Sequence, residues 1–150
     1  MVSAVTGEQY QISAGSYHAT VTGLGAGLRE LLFGGRPVIA GYGADELPPG
    51  AAGQLLAPWP NRIDGGRYVF RATEFQLALT EPAHTNAIHG LTRWTAWTPV
   101  KHEASVVVLR SGPHGPAEAG QRAIASSTSV ISSSLASRHK IVTVTRSRSG

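Results

Sequence analysis

Through residue 110, apolar and polar positions alternate in short runs separated by glycine- or proline-bearing turns. Residues 8–14 read as a weak strand, and residues 17–21 as a second that runs into the glycine-rich turn 22–27. Residues 28–33 form a strand, Gly34-Gly35 a turn, and residues 36–40 its hairpin partner. A Gly/Pro/acid-rich loop follows over 41–52. Pro58 and Pro60 rule out a helix through 54–63 and disfavour a central ladder there. Asp64-Gly65-Gly66 marks a turn, residues 67–70 a strand, and residues 71–73 another turn. Residues 74–79 alternate cleanly, with Phe75, Leu77 and Leu79 on one face. The loop 81–90 carries two histidines, and strands over 95–100 and 105–109 end the series, with Lys101-His102-Glu103 as a solvated turn between them. Many short strands without a helical period predict an all-β, antiparallel sandwich.

The chain changes character near Arg110. Residues 1–110 hold four Ser and 111–150 hold ten, including the run from Ser126 to Ser134. Such a segment buries little apolar area against its ordering entropy, so 111–150 is expected to be a largely disordered low-complexity tail. Within it, 140–145 alternates and is β-branched, like a short strand. A shift of reading frame near Arg110 would account for the change, the alternative being a genuine short protein with a divergent tail; the nucleotide sequence tests it.

Charge follows the same boundary. Residues 1–110 carry eight Lys/Arg against eight Asp/Glu, and the excess behind the net charge of +4 sits in the tail. The folded part therefore offers no basic patch, and nucleic acid is not an expected partner. The chain has no Cys, which excludes disulfides and thiolate metal sites and fits a reducing, cytoplasmic setting. No apolar run approaches the roughly 18 residues that span a bilayer, so no membrane partner is expected.

Two segments could carry chemistry. In Ala57-Pro58-Trp59-Pro60-Asn61-Arg62-Ile63, prolines stiffen a loop that sets an amide beside a guanidinium. The planar fork of Arg62 suits vicinal sugar hydroxyls or a carboxylate. The plainer reading makes Arg62 a surface charge and Asn61 a turn residue. In Asn86-Ala87-Ile88-His89-Gly90-Leu91-Thr92-Arg93, His89 precedes a glycine that allows a sharp turn or close approach of a ligand. His suits proton transfer near neutral pH; the plainer reading is a half-buried His bonded to backbone. Trp59 either stacks on a sugar ring or fills the core. His84 and His89 lack helical metal-ligand spacing, and neither H-E-x-x-H nor a His/Cys cluster occurs, so no metal or other cofactor is expected. Gly23-x-Gly25-x-Gly27 is a hairpin turn, since the lysine of a phosphate loop is missing.

Taken in order, the run Gln54-Leu55-Leu56-Ala57-Pro58-Trp59-Pro60-Asn61-Arg62-Ile63 with Gly66, Tyr68 and Phe70, and then Asn86-Ala87-Ile88-His89-Gly90-Leu91 with Arg93, resembles the aldose 1-epimerases over residues 5–110. The resemblance implies the N-terminal part of a galactose mutarotase-like β-sandwich, incomplete in this chain. It also implies a hexose such as glucose or galactose as ligand. The family interconverts α and β anomers by acid/base ring opening: a Glu base takes the anomeric proton and a His acid protonates the ring oxygen. Asn61, Arg62, His89 and Trp59 are then the substrate-binding residues. Arg62 corresponds to the family's sugar-binding Arg, and His89 to its first active-site His. The family's second His and base Glu lie further on than these motifs; His114, His139 and Glu118 do not match their surroundings. The isolated chain is therefore expected to be a weak or inactive epimerase. The alternatives are a sugar-binding remnant without catalysis and a non-functional fragment that self-associates through bare sheet edges.

Overall fold

The computed structural model describes residues 4–111 and, as backbone, the strand His139–Thr143. Among these residues the regular structure is β-strand with three short 3-10 turns, and every strand pair is antiparallel. The all-β, antiparallel expectation holds. No helix among the described residues is long and apolar enough to cross a membrane. The described residues divide into two compact units, 4–55 with 93–111 and 139–143, and 56–92.

In the first unit, β1 (Gln9–Ala14), β2 (Tyr17–Thr22), β3 (Leu28–Phe33) and β4 (Arg36–Pro37) form a meander in that order. In β1 burial alternates, with Tyr10 and Ile12 inward, whereas in β2 the run Ala19 to Thr22 is buried throughout, Ala19 and Val21 facing the apolar core. They pack with Ala26, Trp97, Val107 and Leu109 into one core, joined by Leu28, Leu31 and Leu55. Val107 and Leu109 are wholly buried, and burying such side chains contributes about 1.5–3 kcal/mol each. The glycine-rich segment after β2 is the expected turn, closed by the Thr22 N–H donating to the Gly27 carbonyl at 2.9 Å. The β4 strand is shorter than the expected 36–40: the Val38 N–H still donates to the Leu31 carbonyl at 2.8 Å, and the chain then bends at Val38-Ile39.

The strands β5 to β8 belong to the second unit and are given below. In the first unit, β9 (Trp97–Glu103) and β10 (Val106–Ser111) form a hairpin, and β11 (His139–Thr143) pairs with the other edge of β10. Lys101-His102-Glu103, expected as a solvated turn, lies instead in β9; the turn is at Ala104-Ser105. The difference has a physical reason: His102 Nε2 lies 2.8 Å from the Gln11 carbonyl, and its ring meets Tyr10 edge-on at 5.6 Å. Pro99 is tolerated because β9 is an edge strand. The short strand expected within 140–145 is present as β11, displaced by one residue at its start. The disorder expected elsewhere in 112–150 concerns residues outside those described.

The second unit holds β5 (Arg62–Ile63), β6 (Arg67–Phe70), β7 (Thr73–Gln76) and β8 (Ala87–Ile88). β5 pairs with β8, and β6 with β7. Trp59, Leu77 and Ala87 are buried together, with Ile63, Tyr68 and Leu91 against them. The strand expected over 74–79 ends at Gln76, and Leu79 is 42% exposed rather than facing inward with Leu77. The Leu77 N–H makes one more rung, donating to the Gly66 carbonyl at 2.8 Å, and the pairing ends there because Gly66, at φ +63°, belongs to the 3-10 turn Asp64–Gly66.

Candidate functional site

The two motifs singled out from the sequence are laced together in the second unit. Arg62 pairs with Ile88 and Ile63 with Ala87. Beyond this two-residue ladder, the His89 N–H donates to the Asn61 carbonyl at 2.8 Å, and the Leu91 N–H to the Ala57 carbonyl at 2.7 Å. Thr92 closes the seam: its Oγ1 accepts from the Ala57 N–H at 3.2 Å and donates to the Ala57 carbonyl at 3.4 Å. On the other side of β8, the Ile88 N–H donates to Thr80 Oγ1 at 2.9 Å. Gly90, at φ +69°, is the residue this closeness requires, since a Cβ there would collide with the Ala57 backbone.

Asn61 and His89 both have φ of 61°, in the left-handed region that asparagine and histidine tolerate better than most residues. These backbones hold a specific side-chain state. The Asn61 N–H donates to His89 Nδ1 at 3.1 Å. A nitrogen that accepts carries no proton, so the neutral ring holds its hydrogen on Nε2. The imidazole thus has a defined tautomer whose Nε2 edge is a donor.

Arg62 lies one residue from this clasp. Its Nη1 donates to Asn61 Oδ1 at 3.2 Å. Its Nε and Nη2 donate to the two carboxylate oxygens of Glu81, at 2.6 and 2.7 Å. A guanidinium has five N–H groups. Three are engaged here, which leaves one on each terminal nitrogen. The ion pair also sets the charge states. Hydrogen bonding from Arg62 lowers the Glu81 pKa from 4.5 to about 2, and the same bond raises that of Arg62. Glu81 is therefore a carboxylate at neutral pH and a weak base.

Trp59 is placed differently from an open stacking platform. Its indole is 8% exposed and packs with Leu77 and Ala87, while its Nε1 has no hydrogen-bond partner. His84 sits on a 3-10 turn, Pro82–His84, with its N–H donating to the Glu81 carbonyl. Among the described residues no group of three or more His, Cys, Asp or Glu is placed to hold a metal ion. An open cleft of about 850 Å³ in this unit is lined by Asp64, Arg67, Gln76 and Thr85 among others; Arg62, exposed, and His89, half-buried, do not line it.

The sequence reading missed Glu81. It sits 19 residues from Arg62, outside both motifs, and the pair forms only because the β5–β8 ladder brings the loop 81–86 alongside. The loop is closed on itself, with Glu81 and Asn86 exchanging backbone hydrogen bonds at 2.9 and 3.3 Å. The one available signal was an acid at the head of the histidine-bearing loop in a segment with few charges.

Comparison with known proteins places this all-β scaffold. The chain is similar to a proposed aldose 1-epimerase of Escherichia coli K12, with a TM-score of 0.60 and 23% identity over 71% of this chain and 38% of that one. It is also similar to the GalM/aldose epimerase homologue of C. elegans, with a TM-score of 0.57 and 18% identity over 68% of this chain and 34% of that one. These likenesses define the fold as the galactose mutarotase type. The family pattern of the aldose 1-epimerases matches residues 8–121, and the chain belongs to that family. In sequence it is 39% identical, over 104 residues, to the uncharacterised protein YihR of Escherichia coli K12. The match covers 69% of this chain and 34% of YihR, so the chain spans about a third of the relatives it matches.

Proposed function

We propose that the Asn61–Arg62 and His89 edge is the sugar-contacting part of an aldose 1-epimerase site, built to hold a hexose such as glucose or galactose. The observation that carries this reading is the clasp between the two segments: the Asn61 N–H fixes the His89 tautomer through Nδ1, while the Asn61 side chain and Glu81 hold Arg62 with two N–H groups remaining. Donors arranged in this way suit the ring and hydroxyl oxygens of a pyranose. Such a donor also helps to polarise the sugar as its ring opens. Trp59 contributes by filling the space beneath the loop that carries Asn61 and Arg62. No cofactor is required by this chemistry, and a cytoplasmic setting fits a chain without cysteine.

The interconversion of α and β anomers needs a base as well. Glu81 does not suit that task, because Arg62 holds it ionised and weakly basic. The reading is therefore a hexose-binding chain that is weak or inactive in catalysis when isolated. Polarimetry on freshly dissolved α-glucose or α-galactose tests it, with no acceleration above buffer expected. A clear acceleration lost in His89→Ala would overturn the expected inactivity and make the chain an epimerase in its own right. Self-association through sheet edges belongs to the same reading, since Val100 is exposed on the edge strand β9 and Val69 on the two-stranded β6–β7 ladder; sedimentation velocity over a range of concentrations checks it.

A further inference from the structure

We propose that Glu81 is the positioning residue of this site: its carboxylate fixes the plane of the Arg62 guanidinium so that the two unused N–H groups face the ligand together. The inference rests on the reading of Arg62 as a sugar-binding group. Both oxygens of Glu81 are committed to Arg62, through Nε and Nη2, and Asn61 Oδ1 holds the third nitrogen. Three bonds to a planar group remove its freedom to rotate. A sugar then meets a donor pair already in place, without the ordering cost of a long side chain.

Glu81 is itself held. Asn86 Nδ2 donates to its Oε2 at 3.4 Å, and the backbone exchange with Asn86 closes its loop. The side chains of Arg62 and Glu81 are 48% and 19% exposed. An ion pair so accessible adds little to stability, because solvent screens it and ordering two side chains costs entropy. Its two-pronged geometry instead gives direction, which is what a carboxylate–guanidinium pair provides beyond charge.

The competing role for Glu81 is that of a stand-in for the ligand, occupying Arg62 until a sugar displaces it. Substitution separates the two. Hexose titration followed by tryptophan fluorescence, with thermal unfolding alongside, is run on the full chain, Glu81→Gln, Glu81→Asp and Arg62→Ala. The expected result is about tenfold weaker binding in Glu81→Gln, part of it regained in Glu81→Asp, and no appreciable change in the unfolding temperature. The Arg62 Nε–H resonance, identified by its loss in Arg62→Ala, should exchange faster with water in Glu81→Gln. Unchanged or tighter binding in Glu81→Gln, with binding still lost in Arg62→Ala, would overturn the positioning role and leave the sugar site standing. No binding by the unaltered chain would remove the sugar site and this inference with it.

Discussion

The Asn61 N–H donates to Nδ1 of His89, while the His89 N–H donates to the carbonyl of Asn61. This reciprocal clasp joins the two segments that the sequence marks as chemical. Every element of the proposed site is one or two bonds away from it: Arg62 through Oδ1 of Asn61, Glu81 through Arg62, and Gly90 through the chain.

The Glu81 carboxyl should titrate at about pH 2, against an ordinary value of 4.5. A carboxylate whose pKa falls on folding contributes stability above its unfolded pKa and loses that contribution as pH falls through the folded one. The contribution of Glu81, small because solvent screens the pair, should therefore be complete above about pH 5 and vanish towards pH 2. Carbon-13 NMR of the Glu81 carboxyl checks the midpoint. In Arg62→Ala the midpoint should move up towards the ordinary carboxylate range, since the hydrogen bond from Arg62 is the largest cause of the shift.

Gly90→Ala should destabilise the second unit by more than about 2 kcal/mol, combining a left-handed backbone with a collision. A Cβ there meets backbone atoms of Ala57, not the end of a flexible side chain. Denaturant unfolding measures the loss. Amide spectra should show the largest changes at Ala57, His89 and Leu91, where the seam would part.

The β6–β7 hairpin turns on Arg71 and Ala72, at φ of 49° and 61°. Two positive φ values in a two-residue turn favour Asn-Gly, and Arg-Ala carries strain there. Replacing the pair by Asn-Gly should stabilise the unit by about 1 kcal/mol. Loss of the Arg71 contact with the Phe70 ring, at 5.2 Å, offsets part of the gain. Thermal unfolding of the double variant provides the check.

Alternation over 17–21 made Ala19 and Val21 legible as core, while the strands over 8–14 and 105–109 were legible only as strands; their inward residues Tyr10, Ile12, Val107 and Leu109 come from the fold. It failed where long-range partners decide. Nothing local tells a reader that His102 reaches the Gln11 carbonyl and turns a charged tripeptide into strand. Leu79 continues the apolar alternation, yet the ladder has already ended at Gln76. At the proposed site, Arg62 and His89 stand out in the sequence because their surroundings are distinctive: prolines on one side, a glycine on the other. Glu81 does not, since an acid in a polar loop shows its role only once the fold sets Arg62 against it.

Titration of the full chain with glucose or galactose, followed by the fluorescence of its tryptophans, tests the sugar edge most directly. The expected result is a saturable change that is lost in Arg62→Ala and in His89→Ala, with both variants still folded by circular dichroism. An unaltered chain that gives no response at high sugar, or variants that bind as well as it does, would contradict it.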